Sequence, residues 1–250
     1  MPICRNGWSH GWNMAGKSRS ENAETTDISR KMRDYLAEIY RLSDRNPAAE
    51  GFVGTSVLAD LLEVSAPAVN RMVTKLREQG LLEHEPYQGI RLTPAGTREA
   101  LKKLRRHRIA EAFLVKVMNF GWHEVHAEAD RLSQGMSETI TERMLAMAGH
   151  PTTCPHGEPI PETDGSIPES QDILLIDAEL EQEVVITRVR IREPERLEYL
   201  AALGLMPGVT LHVIHKAPFN GPVQLKVGRE YRIIGHNLAE VIRVEPAKAP

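Results

Sequence analysis

Two pairs of residues in the middle of the chain have the types and spacing of metal chemistry. His107 and Glu111 stand four apart in "RRHRIAEAFL", and His126 and Asp130 stand four apart in "EVHAEADRL". Residues four apart share a helix face, so each pair presents an imidazole beside a carboxylate. Such a mixed nitrogen and oxygen set suits manganese, ferrous iron or zinc. The turn "CPHGEP" adds Cys154 and His156. Either pair alone is usually a surface ion pair, and it is the conjunction with the Cys–His turn that points to metal. Catalysis has no comparable constellation. The sequence holds no H-E-x-x-H, no Gly-rich phosphate loop and no G-x-S-x-G elbow, so it is read as a non-enzyme.

The elements that must hold these groups follow from periodicity. Ile28, Met32, Leu36, Ile39 and Tyr40 recur at helical spacing. Next, "GTSVLADLLEVSAPAVNRMVTKLREQGLL" reads as two short helices, capped by Thr55 and by Ser65, with Pro67 in the first turn of the second. Gly80 falls where a left-handed helix end is wanted. The pair is a helix-turn-helix, and "LLEHEPYQGIRLT" is its wing, a hairpin with Gly89 in the turn. Thr93 caps a long helix to about Met118, and helices over roughly 122–133 and 137–148 follow. Residues 151–171 hold five prolines and read as a linker. Beyond them, "EVVITRVRI", "VTLHVIH", "PVQLKV" and "YRIIG" are short strands around one helix, "EPERLEYLAAL". The expected fold class is mainly α plus small β: an N-terminal winged helix-turn-helix, an α-helical dimerisation domain and a C-terminal SH3-like β-barrel. The expected division is a disordered tail at 1–27, the DNA-binding domain at 28–98, the helical metal-binding and dimerisation domain at 99–160, a linker at 161–176 and the barrel at 177–247.

Charge singles out one segment. From Ser65 to Arg108 ten Lys/Arg face four Asp/Glu, a local +6 in a chain of net charge -3. A basic segment in an acidic protein suits a polyanion. In a winged helix the second helix enters the major groove, with Ser65, Ala66, Pro67, Ala68, Asn70 and Arg71 at its leading end. Asn reads adenine and Arg reads guanine through paired hydrogen bonds, and Ala68 can touch a thymine methyl. Lys75 and Arg91, the latter on the wing, suit phosphates. The expected partner is double-stranded DNA.

Composition bounds the setting. The apolar share is 41%, ordinary for a globular chain, and no apolar run reaches membrane-spanning length. Cys4 and Cys154 lie far apart, which argues against a disulfide framework and for a reducing, cytoplasmic location. The first twenty residues lack the apolar core of a secretory signal and read as a tail or as sequence ahead of a start at Met14.

These segments, in this order, resemble the diphtheria-toxin-repressor family of metal-dependent transcriptional regulators. The resemblance runs through "RDYLAEIYRL", the whole helix-turn-helix and wing, "RRHRIAEAFL", "EVHAEADRLSQGMSE" and "GHPTTCPHGEPIP". The tail "LGLMPGVTLHVI…NGPVQLKVGREYRIIGHNLAEVIRV" is similar to the SH3-like domain of the ferrous-iron-transport A type. The resemblance implies a homodimer that binds a palindromic operator when loaded with metal and represses metal-homeostasis genes. It implies a first metal site at Asp34 and Asp130, where the family's following Glu-His pair is replaced by Ser133 and Gln134, leaving Gln134 to offer a carbonyl oxygen. It implies a second site in either of two versions, His107, Glu111 and His126 or Glu111, Cys154 and His156, each completed by an acid nearest Glu193. The second site is the expected working one. Asp34, an aspartate where iron-responsive members carry methionine, favours Mn2+ over Fe2+. The competing expectations are a regulator that has lost metal dependence and, from another class, a metal-buffering protein or metalloenzyme.

Overall fold

The computed structural model describes residues 28–45, 50–168 and 170–247. The expected tail at 1–27, with Cys4 and Met14, lies outside the described residues. The chain runs α1 (Arg30–Arg45), α2 (Thr55–Leu61), α3 (Ala66–Glu78), β1 (Leu82–Glu85), β2 (Gly89–Leu92), α4 (Pro94–Lys116), α5 (Val125–Ser133) and α6 (Glu138–Met147). After these come β3 (Ile173–Leu174), β4 (Glu183–Val189), α7 (Pro194–Ala202), β5 (Thr210–Lys216), β6 (Val223–Val227), β7 (Glu230–Ile234), α8 (His236–Ala239) and β8 (Ile242–Pro246).

The first core closes over the helix-turn-helix. Met32, Leu36 and Ile39 of α1 are fully buried against Leu58, Val69, Leu76 and Ile90. Gly80 ends α3 at φ +66, as its place at the helix end requires. Thr55 does not cap α2: it is the first helical residue, and Gly54 stands at the cap with no side-chain bond. Ser65 holds the cap position of α3 but its hydroxyl makes no capping bond. β1 and β2 form the wing, Leu82 opposite Leu92, and Val53 bridges to Ile90 at its edge. Gly89, at φ +114, lets Val53 approach so closely that a Cβ there would stand 2.3 Å from the Val53 carbonyl oxygen.

Thr93 caps α4, its side chain accepting from the Gly96 amide at 3.1 Å. The middle of this 23-residue helix is buried nearly all round, between α1 on one side and α5 and α6 on the other. A second core joins Ile109 and Leu114 of α4 to Val125, Ala129, Met136 and Met144.

The C-terminal strands form one antiparallel sheet in the order β3-β8-β4-β5-β6-β7. Register shifts at Ile186/Arg188 and Val213/His215 bend it around a core that includes Ile186, Leu197, Leu211, Val213 and Val244. The sheet begins within the stretch expected to be linker, because Ile173–Leu174 pair with β8 and Asp172 is buried beside them between Arg188 and Arg243. Trp122, from the helical part, sits in this third core and fastens the two units together. No helix among the described residues is long and apolar enough to cross a membrane.

Candidate metal centre

Glu111 is the hub. It lies on the buried face of α4 and is 1% exposed. One of its oxygens, Oε1, lies 2.9 Å from His107 Nε2, 2.6 Å from His126 Nδ1 and 3.7 Å from His156 Nδ1. α4 supplies His107 and Glu111 one turn apart, α5 supplies His126, and the turn after α6 supplies Cys154 and His156. Gly157 makes that turn dock: at φ +84 it packs so tightly on β4 that a Cβ would lie 1.8 Å from the Thr187 carbonyl oxygen. The rings of His126 and His156 stack with centroids 4.1 Å apart.

The hydrogen bonds show which atoms remain free. His156 Nε2 donates to the Trp122 carbonyl oxygen at 2.8 Å. A carbonyl can only accept, so in the neutral ring Nδ1 is a lone pair. That lone pair faces the Glu111 carboxylate and, at 4.0 Å, the Cys154 sulfur. Among the described residues neither ring nitrogen of His126 has a hydrogen-bond partner, for although Nδ1 is close to Glu111 it lies outside hydrogen-bonding geometry. A buried lone pair aimed at a carboxylate, or a buried ring nitrogen with no partner, is costly on its own. Such groups become favourable around a cation, and donors bound at about 2.1 Å sit roughly 3 Å apart. A carbonyl-anchored imidazole is also the usual outer support of a ligating histidine. His107, Glu111 and His126 lie within 4.8 Å of one another in their ligand atoms, and so do Glu111, Cys154 and His156. The two expected versions of the second site therefore meet on one carboxylate, and the donors fit a divalent transition metal.

The electrostatics agree. Burial would raise the Glu111 carboxyl, but the charge and hydrogen bond of His107, with His126 and His156, outweigh it and hold the group well below the usual range. Burial lowers His126, and the facing Glu111 carboxylate only partly opposes it. Burial, and then the Glu111 charge, push the Cys154 thiol well above its ordinary value.

The other expected ligands stand apart. Asp34, on α1, is ion-paired with Lys103 of α4. Asp130 Oδ1 lies 3.0 Å from His107 Nδ1, on the far side of that ring from Glu111. Gln134 is exposed at the end of α5. Glu193 is exposed at the N-terminus of α7, paired with Arg196 and the Arg192 amide, while its neighbour Arg192 borders the cluster. Sequence reasoning missed Lys103, although it stands four residues before His107 on the same stripe. It also missed Arg190 and Arg192, which follow the end of β4 and reach back to Asp44 and Glu38 on α1.

On the DNA-reading side, Ser65, Ala66, Pro67, Asn70, Arg71 and Lys75 are exposed along the leading part of α3, with Ala68 half-buried. Arg91 is engaged within the wing, 2.8 Å from Glu83 and 4.7 Å over the Phe52 ring.

A winged helix joined to a helical unit with a buried His/Glu/Cys cluster and a small β domain defines a ligand-responsive transcription regulator. Family models agree along the chain: "Iron dependent repressor, N-terminal DNA binding domain" over residues 27–90, "Iron dependent repressor, metal binding and dimerisation domain" over 93–162, and "FeoA domain" over 173–246. The diphtheria toxin repressor of Corynebacterium jeikeium is 30% identical, covering 73% of this chain and 75% of its own length. The iron-dependent repressor IdeR of Mycobacterium leprae is 29% identical, covering 84% of this chain and 95% of its own. A solved manganese-dependent transcriptional repressor in complex with manganese superposes with a TM-score of 0.77 at 30% identity, covering 86% of this chain and all of the other. The chain belongs to the diphtheria-toxin-repressor family of metal-dependent repressors.

Proposed function

We propose that this chain is a homodimeric, cytoplasmic repressor of metal-homeostasis genes that binds a palindromic operator when the Glu111 cluster holds a divalent transition metal. The observation that carries the reading is one buried carboxylate shared by three imidazoles and a thiol, drawn from three segments that meet behind the DNA-reading domain. Glu111, His126 and His156, with His107 or Cys154, would hold the ion. Bound there, it supplies a positive charge that satisfies the facing lone pairs and links α4, α5 and the 154–156 turn. The preference for Mn2+ over Fe2+ rested on Asp34, which Lys103 engages, so the choice of metal passes to a mixed N/O/S set that suits Mn2+, Fe2+ or Zn2+. Exposed Leu132, Ile140 and Met147 on α5 and α6 support pairing of two copies. A dimer would set its two α3 helices about one DNA turn apart, ~34 Å, or a multiple of it.

The test is fluorescence anisotropy on a duplex enriched from random DNA by the protein with Mn2+, then titrated with Mn2+, Fe2+ and chelator. Metal should tighten this duplex far more than random DNA, and less at low pH, because protons compete for the imidazoles and thiol. Tight binding indifferent to chelator would instead support the metal-independent regulator that the Lys103–Asp34 pair favours. Failure to enrich any sequence would revive the metal-buffering reading.

A further inference from the structure

Lys103, His107 and Glu111 form a stripe at four-residue intervals along α4. Glu111 belongs to the cluster, but the other end of the stripe does different work. The Lys103 ammonium ion-pairs with Asp34 across to α1, and both side chains are partly buried, 19% and 37% exposed. One turn on, His107 turns its Nδ1 to Asp130 of α5. Two carboxylates from two helices thus flank a stretch of α4 that already carries a cation. The Lys103 charge also reaches Asp130, where with His107 and Arg192 it offsets burial and keeps that carboxyl well below its usual range.

This arrangement does not fit a divalent metal. A protonated lysine has three donors and no lone pair, so it cannot ligate, and it repels a second cation from the oxygens it holds. Ser133 turns its hydroxyl back to the Asp130 carbonyl at 3.4 Å, and Gln134 is exposed, so neither adds an anionic donor. Among the described residues, no group of three His, Cys, Asp or Glu donors within 4.8 Å includes Asp34 or Asp130.

We propose that the Lys103 ammonium is a built-in cation standing where a metal would otherwise join Asp34 and Asp130. It ties α1 of the DNA-binding unit to α4 without metal, and it leaves the chain one metal-responsive site per protomer. Lys103 is then a positioning residue for the reading head. The single-site count rests on the function proposed above, whereas the metal-free tie does not.

The test uses the full chain. Protein stripped by chelator is dialysed against Mn2+, and metal per protomer is counted by mass spectrometry for wild type and Asp34→Asn. One Mn2+ in both is expected. Two in wild type falling to one in Asp34→Asn overturns the proposal. In parallel, the unfolding of wild type, Lys103→Met, Asp34→Asn and the double variant is measured in chelator. A coupling of about fivefold in the unfolding constant is expected between the two positions. Strictly additive losses overturn the tie. Zero bound Mn2+ in wild type would remove the single-site claim together with the metal-sensing function, while the unfolding cycle still decides the role of Lys103.

Discussion

Glu111→Gln separates sensing from folding. The side chain keeps its volume, so no cavity forms at a position only 1% exposed. The carboxylate that serves both ligand sets becomes an amide, whose NH2 can donate to the lone pair of His126 or His156. The apo protein therefore loses a charged hydrogen bond from His107, worth about 1.5–3 kcal/mol, and regains part of it. Melting in chelator should move by only a few degrees. The metal response should collapse. For wild type, a metal present at about 100 times its Kd adds about 2.7 kcal/mol, which raises the melting temperature of a unit this size by roughly 5–10 °C. That rise should vanish in the variant. The coupling to DNA, of order 1–3 kcal/mol or about 5–150-fold in affinity, should fall to none. The assays are differential scanning fluorimetry with and without Mn2+, and anisotropy on the selected duplex. A Glu111→Gln protein that melts normally, gains the full Mn2+ increment and still tightens on DNA would refute the placement of the sensor at this carboxylate.

Further outcomes follow from other sites. Arg71→Ala should cost ~1–3 kcal/mol on the selected duplex and relax preference at one base, whereas Lys75→Ala should weaken all duplexes alike and lower the salt slope by about 1, as competition and salt titrations will read. Gly157→Ala should loosen the 154–156 turn from β4, because its Cβ meets backbone rather than a flexible side chain, and metal affinity measured by calorimetry should fall with it. Burial would raise the Asp172 carboxyl, but hydrogen bonds from Arg188, Arg243 and Thr187 outweigh it and hold it well below its usual range. A carboxyl depressed in the folded state stabilises above its unfolded value of about 4 and loses that contribution as pH falls below it. Acid titration of the melting temperature should therefore show a slope there that Asp172→Asn flattens.

How much was legible depended on whether a signal was local. The order of helices and strands was readable because each carried its own period and punctuation: Thr93 with Pro94 opens α4, and Gly80 closes α3. Thr55 misled because a hydroxyl before an apolar run looks like a cap even where glycine precedes it and takes the place. β3 has two residues and no pattern to detect, and only the burial of Asp172 between two arginines marks it. In the cluster, His107 with Glu111 was legible as a one-turn pair. That the same oxygen would also receive His126 and His156 is a long-range fact, fixed by how α5 and the proline-rich turn pack. Glu193 stands outside the cluster for a geometric reason: α7 starts there, so its carboxylate turns to its own helix and Arg192 borders the cluster instead.

On the proposed function, the same helix would couple sensing to reading. α4 holds α1 through Lys103 and the cluster through Glu111, eight residues apart on one stripe. The C-terminal domain grips α1 as well, through Arg190 on Asp44 and Arg192 on Glu38, and those two arginines border the cluster's cavity. α1 packs directly beneath the helix-turn-helix, sharing Leu36 and Ile39 with Val69 and Leu76. A ligand shifts an equilibrium only through differential affinity for its states. Here the difference must lie in the contacts that change when Glu111, His126 and His156 gain a cation, since the Lys103–Asp34 tie carries its own positive charge. Metal then has no need to assemble α1 onto α4. It need only fix the angle between that assembled pair and α5 and α6, which on the proposed dimer would set the spacing of two α3 helices on DNA.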